Sequence, residues 1–144
     1  MPERATTRPA PAWGLVLGTL MAFGGFLAPW FHRDGPSWFF SGWGYLTADD
    51  GPGWTLWVPV ALGVALVSAA WARRNRIAAR LSLAAVLTAG FFAATLVAAS
   101  LDTEGDPWQV THMTMSLGVP LMAIGLSIAV VDGVTALAAP RSEA

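Results

Sequence analysis

The chain contains no cysteine and no lysine. Without cysteine there are no disulfides, no thiolate metal sites and no cysteine nucleophile. Charge of either sign is scarce, at 12% of 144 residues, whereas a soluble domain carries about 25%. So little charge cannot cover a water-facing surface. Catalytic signatures are missing as well. There is no nucleophile elbow, no HExxH and no phosphate-cradling glycine loop, so the sequence predicts a non-enzymatic protein. All positive charge is arginine, beside abundant Ala, Gly and Pro, a usage associated with high-GC bacterial genomes.

What is abundant is apolar sequence, 55% of the chain. It gathers into four runs, 12–31, 54–71, 77–101 and 112–131, each of roughly 18–25 residues and none with an internal charge until its edges. A helix of about 20 residues crosses a hydrocarbon core of about 30 Å, and lipid demands that a spanning segment satisfy its own backbone. A soluble helix of that length would show a polar stripe. The predicted fold is therefore an all-α membrane protein, a four-transmembrane-helix antiparallel bundle forming a single domain over 1–144. The first run has arginines before it, as a signal peptide does. Phe26-Leu27-Ala28-Pro29 offers no small-residue cleavage site, so the run reads as an uncleaved anchor.

Arginine orients the bundle. Arg4, Arg8, Arg73, Arg74, Arg76, Arg80 and Arg141 fall on one side of the four runs, and only Arg33 on the other. The positive-inside rule puts the seven in the cytoplasm, with both termini, and predicts a multi-pass protein of the bacterial inner membrane. The outer side holds six acids: Asp34, Asp49, Asp50, Asp102, Glu104 and Asp106. Trp13 and Trp71 at inner ends, and Trp30, Trp54, Trp57 and Trp108 near outer ends, fit an aromatic belt. Nucleic-acid binding gains no support from arginines that topology already explains.

Connections differ in length. The inner loop 72–76 is short, which makes the second and third helices antiparallel neighbours. The outer loop 32–53 is long for a connection without structure of its own. It carries Trp38, Phe39, Phe40, Trp43 and Tyr45, too apolar for a solvated coil. Aromatic and small residues alternate from Phe39 to Tyr45 between two turn signals, Gly35-Pro36 and Asp50-Gly51-Pro52-Gly53. This predicts a structured aromatic loop, an extended segment or small hairpin over the outer mouth. It reads either as an interfacial anchor or as a lid or docking surface.

Small residues recur four apart at Gly14, Gly18 and Ala22, at Ala61, Ala65 and Ala69, and at Gly125, Ala129 and Gly133. Such stripes let helix backbones approach, inside the chain or against a partner. Gly14 and Gly18 are the candidate lateral face for a partner. Pro120 is predicted to kink the fourth helix. Asp132, the one acid at the edge of a run, is predicted to form an inner-side ion pair with Arg76 and Arg80.

Soft ligands are few. His32 and His112 flank the outer rim, and a helix would align His112, Met115, Val119 and Met122 on one stripe. Imidazole and thioether together suit haem or copper. His32, His112 and Met115 are thus the candidate cofactor residues, against the commoner reading of Met as a core filler. Asp102, Glu104 and Asp106 alternate as calcium ligands do but lack the remainder of that loop; they read as a solvated acidic rim.

The Ala28-Pro29-Trp30 end of the first run, the Ser41-Gly42-Trp43 stretch and the arginine-rich inner turn resemble small four-span proteins of uncharacterised function from actinobacteria. That resemblance covers most of the chain and implies an inner-membrane location without an activity. The layout also looks loosely like the claudin group, but the paired loop cysteines are missing and the first loop is much shorter. The leading expectation is a non-enzymatic accessory or assembly subunit in the lipid bilayer, contacting a membrane-protein partner or a second copy through the loop aromatics and the Gly14–Gly18 face. The alternative is a small-ligand module holding a lipid, quinone, haem or metal at the outer mouth. A minimal transporter is the lesser alternative, since no charge lies at mid-depth.

Overall fold

The computed structural model describes residues 11–33, 39–47, 53–101 and 113–139. The described residues form five helices and one small sheet. Helix α1 spans Trp13–Leu27, α2 Gly42–Thr47, α3 Trp57–Ala69, α4 Arg76–Leu101 and α5 Gly118–Ala138, and a 3-10 turn over Gly53–Leu56 leads into α3. Strands β1 (Pro29–Arg33), β2 (Phe39–Ser41) and β3 (Met113–Met115) form an antiparallel sheet in the order β2-β1-β3.

The four longer helices make a closed ring of contacts in the order α1, α5, α4, α3. Helices α4 and α5 are long and apolar enough to cross a membrane; α1, of 15 residues, and α3, of 13, are shorter apolar helices. The reason lies at the helix ends. Ala28 precedes a proline, which disfavours helical geometry, and its ψ of 157° turns the chain into β1. Pro29 is then the first residue of a strand, where its missing N–H costs nothing. The run predicted as a helix from 12 to 31 is thus a helix followed by a strand. Likewise, Met113–Met115 pairs with β1, so α5 begins at Gly118, not near 112, and runs on to Ala138.

This resets both internal prolines. Pro120 is the third residue of α5, in the first turn, where the N–H has no intrahelical partner to lose; Pro59 is the third residue of α3, just after the 3-10 turn. The expected Pro120 kink is replaced by a helix start. The turn between α3 and α4 ends at Asn75, whose side-chain oxygen accepts the Ile77 N–H at 2.8 Å and so acts as the missing N-cap.

Packing inside the ring depends on small residues. Gly18 lies so close to α5 that a Cβ there would sit 2.6 Å from the Ala129 nitrogen and 2.6 Å from the Gly125 carbonyl. Gly125 faces back onto Ala22 and Gly18, and Gly25 onto Met122 and Gly118. The contacts pair low numbers with high, so α1 and α5 run antiparallel. Gly14 and Gly18, expected as a face for a partner, are used within the chain: Gly18 on the α5 backbone and Gly14 against Asp132. Across the other seam, the Ser82 hydroxyl donates to the Ala65 carbonyl at 2.9 Å, tying α4 to α3.

Buried residues fall into two clusters. Near the sheet lie Phe26, Trp30, Phe31, Leu62, Leu96 and Met122; at the opposite end the cluster is mostly alanine. Larger apolar residues point outward instead. Leu17, Val67, Trp71, Phe91, Ile124 and Val131 are all exposed on the flanks of the helices.

Candidate contact site at the sheet end

Trp30 is the pedestal of this end. It is fully buried, and its indole N–H donates to the Gly25 carbonyl at 2.9 Å. Two glycines pinch its ring. A Cβ on Gly118 would lie 2.6 Å from Trp30 Cδ1, and one on Gly42 2.8 Å from Cζ2. Phe26 meets it edge-on at 6.1 Å and Tyr45 at 6.4 Å. The backbone carbonyl of Trp30 accepts the Ser116 N–H. One side chain therefore joins α1, α2, the sheet and the start of α5. Trp30 is a core residue, not the interfacial anchor that the aromatic-belt reading assigned. Trp13, Trp57 and Trp71 are exposed at helix ends, where a belt would place them.

Around this pedestal the chain alternates only briefly. The loop aromatics were expected to run as an extended segment from Phe39 to Tyr45. The strand stops at Ser41, and Trp43 and Tyr45 lie in α2. Ser41 starts that helix, its hydroxyl accepting the Gly44 N–H at 3.1 Å. The change of period separates the aromatics: Tyr45 turns inward against Trp30, while Trp43 is 48% exposed. Phe39 and Phe40 occupy β2 opposite His32 and Phe31. Trp38 lies outside the described residues. Exposed Met115 and Leu117 add apolar surface to the same end, and sequence reasoning did not single out Leu117, which is 78% exposed. Its signal was faint, a Leu next to a Gly just ahead of a helix.

The cofactor residues do not converge. His32 pairs with Thr114, and Phe31 with Met115. Successive residues on a strand face opposite sides of the sheet, so His32 and Met115 project from opposite faces. His112 and the acids Asp49, Asp50, Asp102, Glu104 and Asp106 lie outside the described residues. Among the described residues, no group of three His, Asp or Glu side chains could hold a metal.

At the other end, Asp132 holds the ring closed. Its Oδ2 accepts the Leu15 N–H at 2.8 Å, and its Oδ1 meets Arg73 Nη2 at 3.1 Å and the Thr135 hydroxyl at 3.3 Å. Helix α1 has no side-chain cap of its own at Ala12, so Asp132 caps it from across the seam. A carboxylate there also matches the positive end of the helix dipole. The ion-pair partner is Arg73, not the expected Arg76 or Arg80. Because α5 continues to Ala138, Asp132 sits nearly two turns inside it, level with the end of the α3–α4 turn. Asp132→Asn keeps the shape but loses the charge on both bonds. We expect it to lower the stability of the purified protein by about 1–2 kcal/mol, with Arg73→Gln, whose side chain is 40% exposed, costing less. Equal losses for the two variants would show that the cap on α1 contributes nothing.

No protein-family model, curated protein or solved structure matches this chain.

Proposed function

We propose that this chain is a four-span integral protein of a bacterial inner membrane that works without catalysis, as an accessory or assembly subunit whose sheet end contacts a partner. One observation carries the membrane reading. Away from the sheet the interior of the helix ring is mostly alanine, and Leu, Val, Ile, Phe or Trp side chains are exposed on the flanks of all four longer helices. In water that arrangement would expose apolar surface on all flanks. In lipid it is the expected one, because small residues let the helices approach and the bilayer solvates the rest. The two shorter helices fit as well. β1 continues α1, and its backbone is paired on both edges by β2 and β3, the condition for non-helical backbone near membrane depth. Arg73, Arg74, Arg76 and Arg80 lie at the end opposite the sheet, which makes the sheet end the outer one.

The accessory role rests on the apolar side chains exposed at the sheet end. Trp43, Met115 and Leu117 are presented on a base fixed by Trp30, the kind of patch that protein contacts cover. A photo-crosslinking amino acid at Trp43 or Leu117, activated in native membranes, is expected to give a discrete protein adduct, with Val131 on the α5 flank as the lipid-facing control. Adducts at Val131 but none at Trp43 or Leu117 would refute the contact role.

A further inference from the structure

The large apolar side chains on the outside of the ring stop at two levels. On α1 the exposed ones run from Trp13 to Leu27, on α3 and the turn after it from Trp57 to Trp71, and on α4 from Ile77 to Phe91. In each case 14 positions separate the two ends, a length of about 21 Å at the helical rise. Contacts set these ends side by side. The Ser82 hydroxyl meets the Ala65 carbonyl. From that level Trp71 and Ile77 lie six and five positions toward one end, and Trp57 and Phe91 eight and nine toward the other. Trp54 rests on Phe92 at 5.9 Å beside the second level. Arg73, two positions after Trp71, binds Asp132, which accepts the Leu15 N–H. Trp13 therefore belongs to the first level.

Beyond the two levels the exterior changes character. Between Trp71 and Ile77 the exposed residues are Arg73, Arg74, Asn75 and Arg76, and past Phe91 the exposed positions described on α4 are Ala94, Thr95, Ala98 and Ala99. On α5 the exposed stretch is somewhat longer, from Leu117 to Val134, or about 25 Å. Trp57 and Trp71 are each more than half exposed at opposite ends of one helix. Tryptophan favours the headgroup level at either face of a bilayer, so this pair marks both faces on a single helix.

A typical hydrocarbon core is about 30 Å thick, and any tilt of the helices would shorten the depth they cover. We propose that this protein is built for a thinner layer, with a hydrocarbon core of about 21–25 Å. It gathers short-chain phospholipid around itself, and thins the bilayer where only longer chains are at hand. The inference rests on the membrane-spanning reading. In a core of ordinary thickness, chain ends would lie against Arg74, Arg76 or the small residues past Phe91. Thinning the lipid relieves that mismatch without moving the seams that hold the ring.

The test uses the full chain, reconstituted into dimyristoleoyl-, dioleoyl- and dierucoyl-phosphatidylcholine. These share a headgroup and one double bond per chain and differ in chain length. Thermal stability is expected to be highest in the shortest lipid and to fall with each lengthening. In mixed vesicles, brominated chains of one length quench the exposed tryptophans in proportion to their presence around the protein. The shortest lipid is expected to be preferred over dioleoyl by at least about twofold. Lamellar X-ray diffraction from dioleoyl multilayers gives the phosphate-to-phosphate distance, which is expected to shrink as protein is added. A stability optimum in dioleoyl or dierucoyl lipid, or a distance that protein leaves unchanged, would overturn the proposal. Flotation of the vesicles separates the two failures. A chain that stays out of vesicles of every length would end the membrane reading itself, while a chain that inserts but favours the longer lipids would end only the thin belt.

Discussion

Gly18→Val is expected to prevent accumulation of folded protein. The new side chain would need space held by the Ala129 nitrogen and the Gly125 carbonyl, both 2.6 Å from its first carbon. These are backbone atoms of a helix, which cannot swing aside as a side-chain tip can. Relief requires α1 and α5 to separate along their seam, breaking the Gly125–Ala22 and Gly25–Met122 approaches together. Overpacking usually costs about 1–3 kcal/mol, and this site is expected at or above the top of that range. Gly24→Ala is the internal control. A Cβ there meets nothing within 4 Å, so the change should be neutral or gain up to about 1 kcal/mol from helix propensity. Fluorescence-detected gel filtration after graded heating distinguishes the two, and equal behaviour would show that the seam is looser than described.

Trp30→Ala should be nearly as damaging, through the opposite fault. It empties a site enclosed by Phe26, Tyr45, Gly42 and Gly118, and truncations of buried aromatics cost about 3–5 kcal/mol. Trp30→Phe keeps part of the volume and loses the bond to the Gly25 carbonyl, for an expected loss of about 1–3 kcal/mol. The order wild type, Phe, Ala in thermal stability checks this. The platform should fail with the pedestal: crosslinking from Trp43 is expected to fall in Trp30→Ala even in the fraction that still folds. Undiminished crosslinking would mean that α2 is held by something other than Trp30.

Much of the fold was legible because apolar runs, glycine spacing and arginine position are local signals. Each of the four runs overlaps one of the longer helices, although α5 runs on past the fourth run to Ala138. The stripes at Gly14, Gly18 and Ala22 and at Gly125, Ala129 and Gly133 were visible, but spacing says only that a face is small. That these two faces meet each other is a fact about distant residues. Helix ends were read poorly for a related reason. Hydropathy does not distinguish a helix from a buried strand, so Trp30 and Phe31 were counted into a span although Pro29 marked the change. The same blindness placed Asp132 at a helix end and chose the wrong arginines. Pro120 was a better clue than its reading as a kink allowed, since a proline in a long apolar run can mark a helix start as well as a kink. At the candidate contact site, Trp43 was identified in the sequence, while the burial of Trp30 was not, because the two glycines that make room for it are 12 residues after it and 88 after it.

The hydrogen bond from Leu15 to Asp132 spans 117 positions, and it belongs to the seam where the glycines of α1 and α5 meet backbone to backbone. During synthesis, α1 is therefore made first of the five helices and must wait for the last. Until α5 arrives, α1 lacks its cap, the glycine face has no partner, β1 has one free edge, and Trp30 lacks the Gly118 side of its enclosure. Chains of such late closure are exposed to misassembly while they wait. The waiting time is set by the synthesis of the residues between the two helices. A chain cut short before Gly118 lacks α5 and with it the contacts that close the ring on both α1 and α4.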